Sequence, residues 1–153
     1  MMRISPTIAK LTKFNYKPKP KWYIIDAKDR PLGRIASTAT KILLGKHRPT
    51  YSKDSCVGDF VIIKNASKLV LTGKKLTQKI YFKHTGYLGG DSYTKYNKLF
   101  PHKADFILKK AVNGMLPKNK LRAKIIKRLK IFNDENIPSM SFGDKNNLEV
   151  IKC

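Results

Sequence analysis

Positive charge constrains this chain more than any other feature: 33 Lys and Arg face 10 Asp and Glu, a formal net charge of +23 on 153 residues. Any fold must gather its apolar residues beneath a surface that repels itself. A partner that neutralises that surface then favours the compact state. Residues 131–153 hold four acids and two bases, which leaves 31 bases and 6 acids on residues 1–130. The excess therefore belongs to the body of the chain, and a phosphate backbone matches it over a wide area. RNA or DNA is the implied partner.

A chain of this length buries roughly two-thirds of its unfolded surface around one core, and 41% hydrophobic residues supply the material. One domain is expected. The longest apolar runs, such as Trp22 to Ile25 and Phe60 to Ile63, are four residues, against the roughly 18 that span a bilayer. No membrane partner is implied. Cys56 and Cys153 have no C-x-x-C spacing and no nearby histidine. Neither a disulfide framework nor a zinc site is suggested, and a reducing compartment fits.

Residues 1–20 contain no acid and several Lys and Arg, and the run Lys17-Pro18-Lys19-Pro20-Lys21 cannot form a packed element. Three readings stand side by side: a basic arm along nucleic acid, an organelle-targeting segment, and a solvated tail. Lysine dominance over arginine weakens the second. The segment is read as a basic N-terminal extension.

From Lys21 onward strands and helices alternate. Trp22-Tyr23-Ile24-Ile25 suits a buried strand, and Asp29 to Pro31 carry helix start signals. Leu32, Ile35, Ala36, Ala39 and Leu43 share one helical face, with Arg34, Ser37, Thr38 and Lys41 on the other and Gly45 at the C-cap position. Phe60 to Ile63 is a second buried strand, with Leu69 to Leu71 and Ile80 to Phe82 as shorter candidates for the same small sheet. Ala104, Ile107, Leu108, Ala111 and Met115 define a helix, and Leu121, Ile125 and Leu129 another. The fold class is α/β, with helices on a largely parallel sheet.

Several segments carry candidate chemistry. Lys46, His47 and Arg48 follow a helix end, where cations either satisfy terminal carbonyls or reach phosphates. In His84-Thr85-Gly86-Tyr87-Leu88-Gly89-Gly90, glycine backbone approaches an anion closely, while Tyr87 and His84 offer flat faces to a base or sugar. A plain surface turn is the alternative. Thr72-Gly73-Lys74-Lys75 is similar to the end of a P-loop, but Lys68 stands where the first glycine is required. Lys74, Lys75, Lys79 and Lys83 instead form a basic cluster, which is a solvated face or a phosphate-binding one. Gly114 to Leu121, with Asn119, is structurally a helix-helix corner, and it begins a stretch in which Lys118, Lys120, Arg122, Lys124, Lys127, Arg128 and Lys130 stand beside the apolar stripe and can hold phosphates. The histidines are scattered and no nucleophile elbow occurs, so catalysis finds no support.

The motifs Lys21-Trp22-Tyr23-Ile24-Ile25-Asp26-Ala27, Leu32-Gly33-Arg34-Ile35-Ala36-Ser37, Gly45-Lys46-His47-Arg48-Pro49-Thr50-Tyr51 and Gly58-Asp59-Phe60-Val61 recur together in one family. So do Leu71-Thr72-Gly73-Lys74-Lys75, His84 to Gly90 and Gly114-Met115-Leu116-Pro117-Lys118-Asn119. In this order the chain resembles the universal large-subunit ribosomal protein thirteen family, in its bacterial and organellar form. The resemblance implies a three-layer α/β/α fold with a four-stranded parallel sheet, large-subunit ribosomal RNA and neighbouring ribosomal proteins as partners, and a part in early subunit assembly. It implies no catalysis, cofactor, metal or small-molecule substrate. It also implies that Lys46, His47 and Arg48, the His84–Gly90 loop and the Lys118–Arg128 stretch face RNA, with Lys and Arg neutralising phosphates and Gly86, Gly89 and Gly90 allowing close backbone approach; Arg34, on the polar face of the first helix, is a further candidate RNA-binding residue. Residues 21–132 would form the RNA-binding domain and 133–153 a C-terminal tail.

Three departures from the bacterial pattern stand out: Arg122 for a frequent glycine, Leu88 for the usual proline, and Ile137-Pro138 for a C-terminal His-Pro. Phe132 to Pro138 resembles the mitochondrial branch, so a mitochondrial ribosome is expected, with a plastid-type or bacterial one as the alternative. Two other classes remain as rivals: an RNA-modifying enzyme and a free regulatory RNA binder.

Overall fold

The computed structural model describes residues 19–100, 102–138 and 148–151. Most of the N-terminal extension, part of the C-terminal tail and Cys153 lie outside the described residues. The strands are β1 (Trp22–Asp26), β2 (Phe60–Lys64), β3 (Ile80–His84), β4 (Asp91–Lys95), β5 (Leu129–Ile131) and β6 (Leu148–Ile151). The helices are α1 (Leu32–Leu44), the single turns α2 (Lys75–Gln78) and α3 (Tyr96–Leu99), then α4 (Ala104–Met115) and α5 (Arg122–Ile126). A 3-10 turn covers Ala66–Lys68.

Four strands form one parallel sheet in the order β5-β2-β1-β6. Parallel neighbours need long crossovers, and α1 between β1 and β2 supplies one. The side-chain period of two places Tyr23 and Ile25 of β1 beside Val61 and Ile63 of β2 on one face. All four are buried in the core with Ile35, Leu43, Ile107 and Leu108. Burying each such aliphatic side chain contributes about 1.5–3 kcal/mol. On the opposite face Trp22 and Phe60, register partners, stack at 4.3 Å.

α1 forms as its apolar spacing predicts: Leu32, Ile35, Ala36, Ala39, Ile42 and Leu43 are buried, while Arg34, Ser37 and Lys41 are exposed. Pro31 stands at its N-cap position and Gly45 ends it in the left-handed conformation, φ 77°. The α/β class and the four-stranded parallel sheet agree with the sequence reading.

Three local expectations are corrected. Leu69 to Leu71 is no sheet strand. Val70 makes one parallel bridge to Pro31, through Val70 N–H to Arg30 O (2.9 Å) and Leu32 N–H to Val70 O (3.1 Å), and so braces the entry to α1. Ile80 to Phe82 is a strand, but it pairs antiparallel with β4 in a separate hairpin. Six residues separate the two strands, far too few for a parallel crossover. Leu129 belongs to β5 and not to the helix: α5 stops at Ile126, and Leu129 sits buried with Lys130 turned out. Leu121, Ile125 and Leu129 fit a helical period, but Leu129 and Ile131 equally fit a strand, and pairing with β2 decides the matter. The sheet draws its outer strand β6 from residues 148–151, within the stretch expected as a tail.

Candidate nucleic-acid interface

The end of α1 and the start of β2 are pressed together by glycines. A Cβ on Gly58 would lie 1.8 Å from Leu43 O, so the close approach admits no side chain. Gly45 N–H donates to Ile42 O and Lys46 N–H to Lys41 O, which turns the chain back toward the sheet. His47 and Arg48 are thereby delivered to Asp59, whose carboxylate is fully buried.

Asp59 Oδ1 accepts the backbone N–H of Lys21 at 2.7 Å and Arg48 Nη2–H, and Oδ2 accepts Arg48 Nε–H at 2.9 Å. His47 Nε2 lies 2.8 Å from the same Oδ2. This is a bidentate guanidinium–carboxylate pair, the geometry that makes a part-buried charge tolerable. Arg128 is similarly engaged, donating to Gly58 O and Cys56 O, with its guanidinium 5.8 Å from the Phe60 ring centre. Two arginines thus staple the edge where β1, β2 and β5 begin. Lys46 beside them is exposed.

The other expected residues occupy the hairpin and the α4–α5 corner. Tyr87 and Leu88 form the exposed tip of the β3–β4 loop, where Gly86 and Gly89 take left-handed φ values of 94° and 72°. The loop uses three of its own backbone donors: Thr85 N–H to Gly90 O (3.2 Å), Gly86 N–H to His84 Nδ1 (2.9 Å) and Gly90 N–H to Tyr87 O (2.9 Å). His84 Nε2 reaches Asp91 Oδ1 at 3.5 Å. Lys83 is exposed on β3, and Lys79 lies 5.5 Å from the Tyr81 ring centre. Lys74 and Lys75 sit exposed at α2. At the corner, Asn119 Oδ1 accepts Arg122 N–H (3.1 Å) and Arg122 Nε–H donates to Asn113 Oδ1 (2.7 Å). Lys118, Lys120, Lys124 and Lys127 are exposed, as is Arg34 at the far end of α1.

The structure therefore separates the cations into two groups. His47, Arg48, Arg122 and Arg128 hold internal partners, whereas the lysines of the hairpin, α2 and the corner are turned outward. Lys103, at the N-cap of α4, and Lys109 and Lys110 on it are exposed cations that the apolar periodicity of the helix does not single out. Their spacing around Phe106, at i−3, i+3 and i+4, was the available signal. No group of three or more His, Cys, Asp or Glu able to hold a metal ion occurs among the described residues.

A parallel α/β core with outward lysines presents an extended basic surface. The profile of the family described as Ribosomal protein L13 matches residues 20–138, and the chain belongs to that family. It is 50% identical over 123 residues to "Large ribosomal subunit protein uL13" of Caldanaerobacter subterraneus subsp. tengcongensis, covering 77% of this chain and 86% of the relative. The protein of the same name from Desulfitobacterium hafniense is 52% identical over 118 residues, covering 77% and 82%. That of a Thermoanaerobacter species is 53% identical over 114 residues, covering 74% and 80%. These relatives are bacterial, and none points to the mitochondrial branch that Phe132 to Pro138 suggested.

Proposed function

We propose that the chain is a structural, non-enzymatic constituent of the large ribosomal subunit. Family membership across residues 20–138, with relatives named as large-subunit proteins, carries this reading. Large-subunit ribosomal RNA is the main partner, and neighbouring subunit proteins the second. The family match also supports an RNA-binding domain over residues 21–132, whose sheet is completed by β6 at 148–151.

Residue roles follow from the partners each side chain already has. Arg34, Lys46, Lys74, Lys75, Lys79, Lys83, Lys118, Lys120, Lys124 and Lys127 neutralise phosphates, and the His84–Gly90 loop presents Tyr87 to RNA. Arg48, Arg122, Arg128 and His47 shape the surface from which those lysines project. A body carrying 31 bases and 6 acids over residues 1–130 is best stabilised by binding RNA early, which supports a part in subunit assembly. The host ribosome is of the bacterial type that the relatives represent.

Sedimentation of a tagged chain expressed in its own cells tests this. Co-migration with large subunits through a moderate-salt wash is the expected result. Absence from every ribosomal fraction, with the protein free or on other RNA, would favour the regulatory reading. Separation of any organelle fraction beforehand fixes the compartment.

A further inference from the structure

Between the hairpin and α4 lies a cleft of about 500 Å³, within the roughly 300–1,000 Å³ of small-ligand pockets. Its hairpin wall bears Tyr81, Lys83, Ser92 and Thr94, and its helical wall Lys103, Phe106 and Lys110. Tyr81 and Phe106 meet edge to face at 6.1 Å, forming an aromatic floor, and Phe106 keeps 45% of its surface exposed. No carboxylate lines the cleft. Among the described residues Lys83, Lys103 and Lys110 make no salt bridge.

Three ammonium groups on two facing walls, two hydroxyls and an aromatic floor form a specific combination. Duplex RNA offers phosphates but keeps its bases stacked inside, so it leaves the floor unused. An acidic peptide satisfies the lysines but gains little from the rings. An unstacked nucleotide satisfies both. We propose that this cleft takes one unpaired nucleotide of large-subunit ribosomal RNA, its base against Phe106 and Tyr81 and its flanking phosphates on Lys83, Lys103 and Lys110. The inference rests on the ribosomal reading above and specifies the RNA chemistry that this surface recognises.

The test measures full-length chain binding to a large-subunit ribosomal RNA transcript across a salt series. Phe106→Leu removes the ring without altering charge. It is expected to weaken binding roughly tenfold while leaving the salt dependence unchanged. Lys103→Gln with Lys110→Gln is expected to lower the log–log salt slope by about 1.4 to 1.8. Lys28→Gln with Lys41→Gln, an exposed pair outside the cleft, supplies the control for equal charge loss. Ultraviolet crosslinking of the wild-type complex should place a nucleotide adduct on Phe106 or Tyr81.

Wild-type affinity in Phe106→Leu, with the two lysine pairs indistinguishable, overturns the cleft while leaving the ribosomal reading intact. Unchanged RNA affinity with lost subunit incorporation also overturns it, and assigns the cleft to a protein segment. A wild-type chain that binds no ribosomal RNA fails at the earlier reading instead.

Discussion

At the edge where β1 and β2 begin, Arg48 and His47 close on the buried carboxylate of Asp59, whereas along β3 and α4 Lys83, Lys103 and Lys110 make no salt bridge among the described residues. Both regions read as basic in the sequence, and they do different work. A guanidinium held by two contacts to a buried carboxylate is part of the protein's own framework. A lysine projecting from an exposed strand or helix adds little to folding and keeps its charge for a partner. Basic composition therefore identifies the class of partner, while the position of the few acids determines which cations reach it.

Disrupting the framework region should have the largest consequence. Arg48→Ala leaves Asp59 buried and under-compensated, which should cost about 3–5 kcal/mol, measured by denaturant unfolding. Wild-type stability in that variant would remove the distinction between the two regions. Gly58→Ala forces a Cβ against Leu43 O and should cost about 1–3 kcal/mol or more, seen as a drop in Tm. In both cases weaker RNA binding should follow the loss of folded protein.

The hairpin should behave in the opposite way. Lys83→Gln should leave the unfolding free energy within about 0.5 kcal/mol of wild type and lower the salt slope of RNA binding by about 0.7–0.9. Loss of stability without a change in slope would place Lys83 with the framework residues.

Smaller effects sharpen the boundary between them. Tyr96, at the foot of the hairpin, is fully buried, its hydroxyl has no hydrogen-bond partner among the described residues, and burial pushes its pKa up to about 12. The unfolded chain releases that proton near pH 10, so this contribution to stability is complete below pH 10 and is lost as pH rises toward about 12. Tyr96→Phe should flatten the alkaline end of the stability profile and change neutral-pH stability by no more than about 1 kcal/mol. Smallest of all is the exposed pair between Lys21 Nζ and Glu149 Oε1 at 2.7 Å. Its hydrogen bond raises the Lys21 pKa and lowers that of Glu149. Glu149→Gln should leave thermal unfolding unchanged and return the Lys21 titration toward the ordinary lysine range, observable by NMR.

The sequence by itself determined the class of partner, the α/β alternation, β1, α1 and β2, and the family, because each depends on local pattern or on charge summed without regard to place. Apolar runs of four with β-branched residues and a helical stripe ending at Gly45 leave little freedom once the core must be buried. The tertiary structure alone decided which cations remain available. Arg48 lies 11 residues from Asp59 and Arg128 lies 70 from Gly58, and no local pattern announces either meeting. It also decided that β3 leaves the main sheet, that Leu129 is strand, and that Lys83 faces Lys103 and Lys110 across one cleft. Short segments with ambiguous period take their state from the neighbour they pair with, and a charged side chain takes its role from what lies within a few ångströms of it.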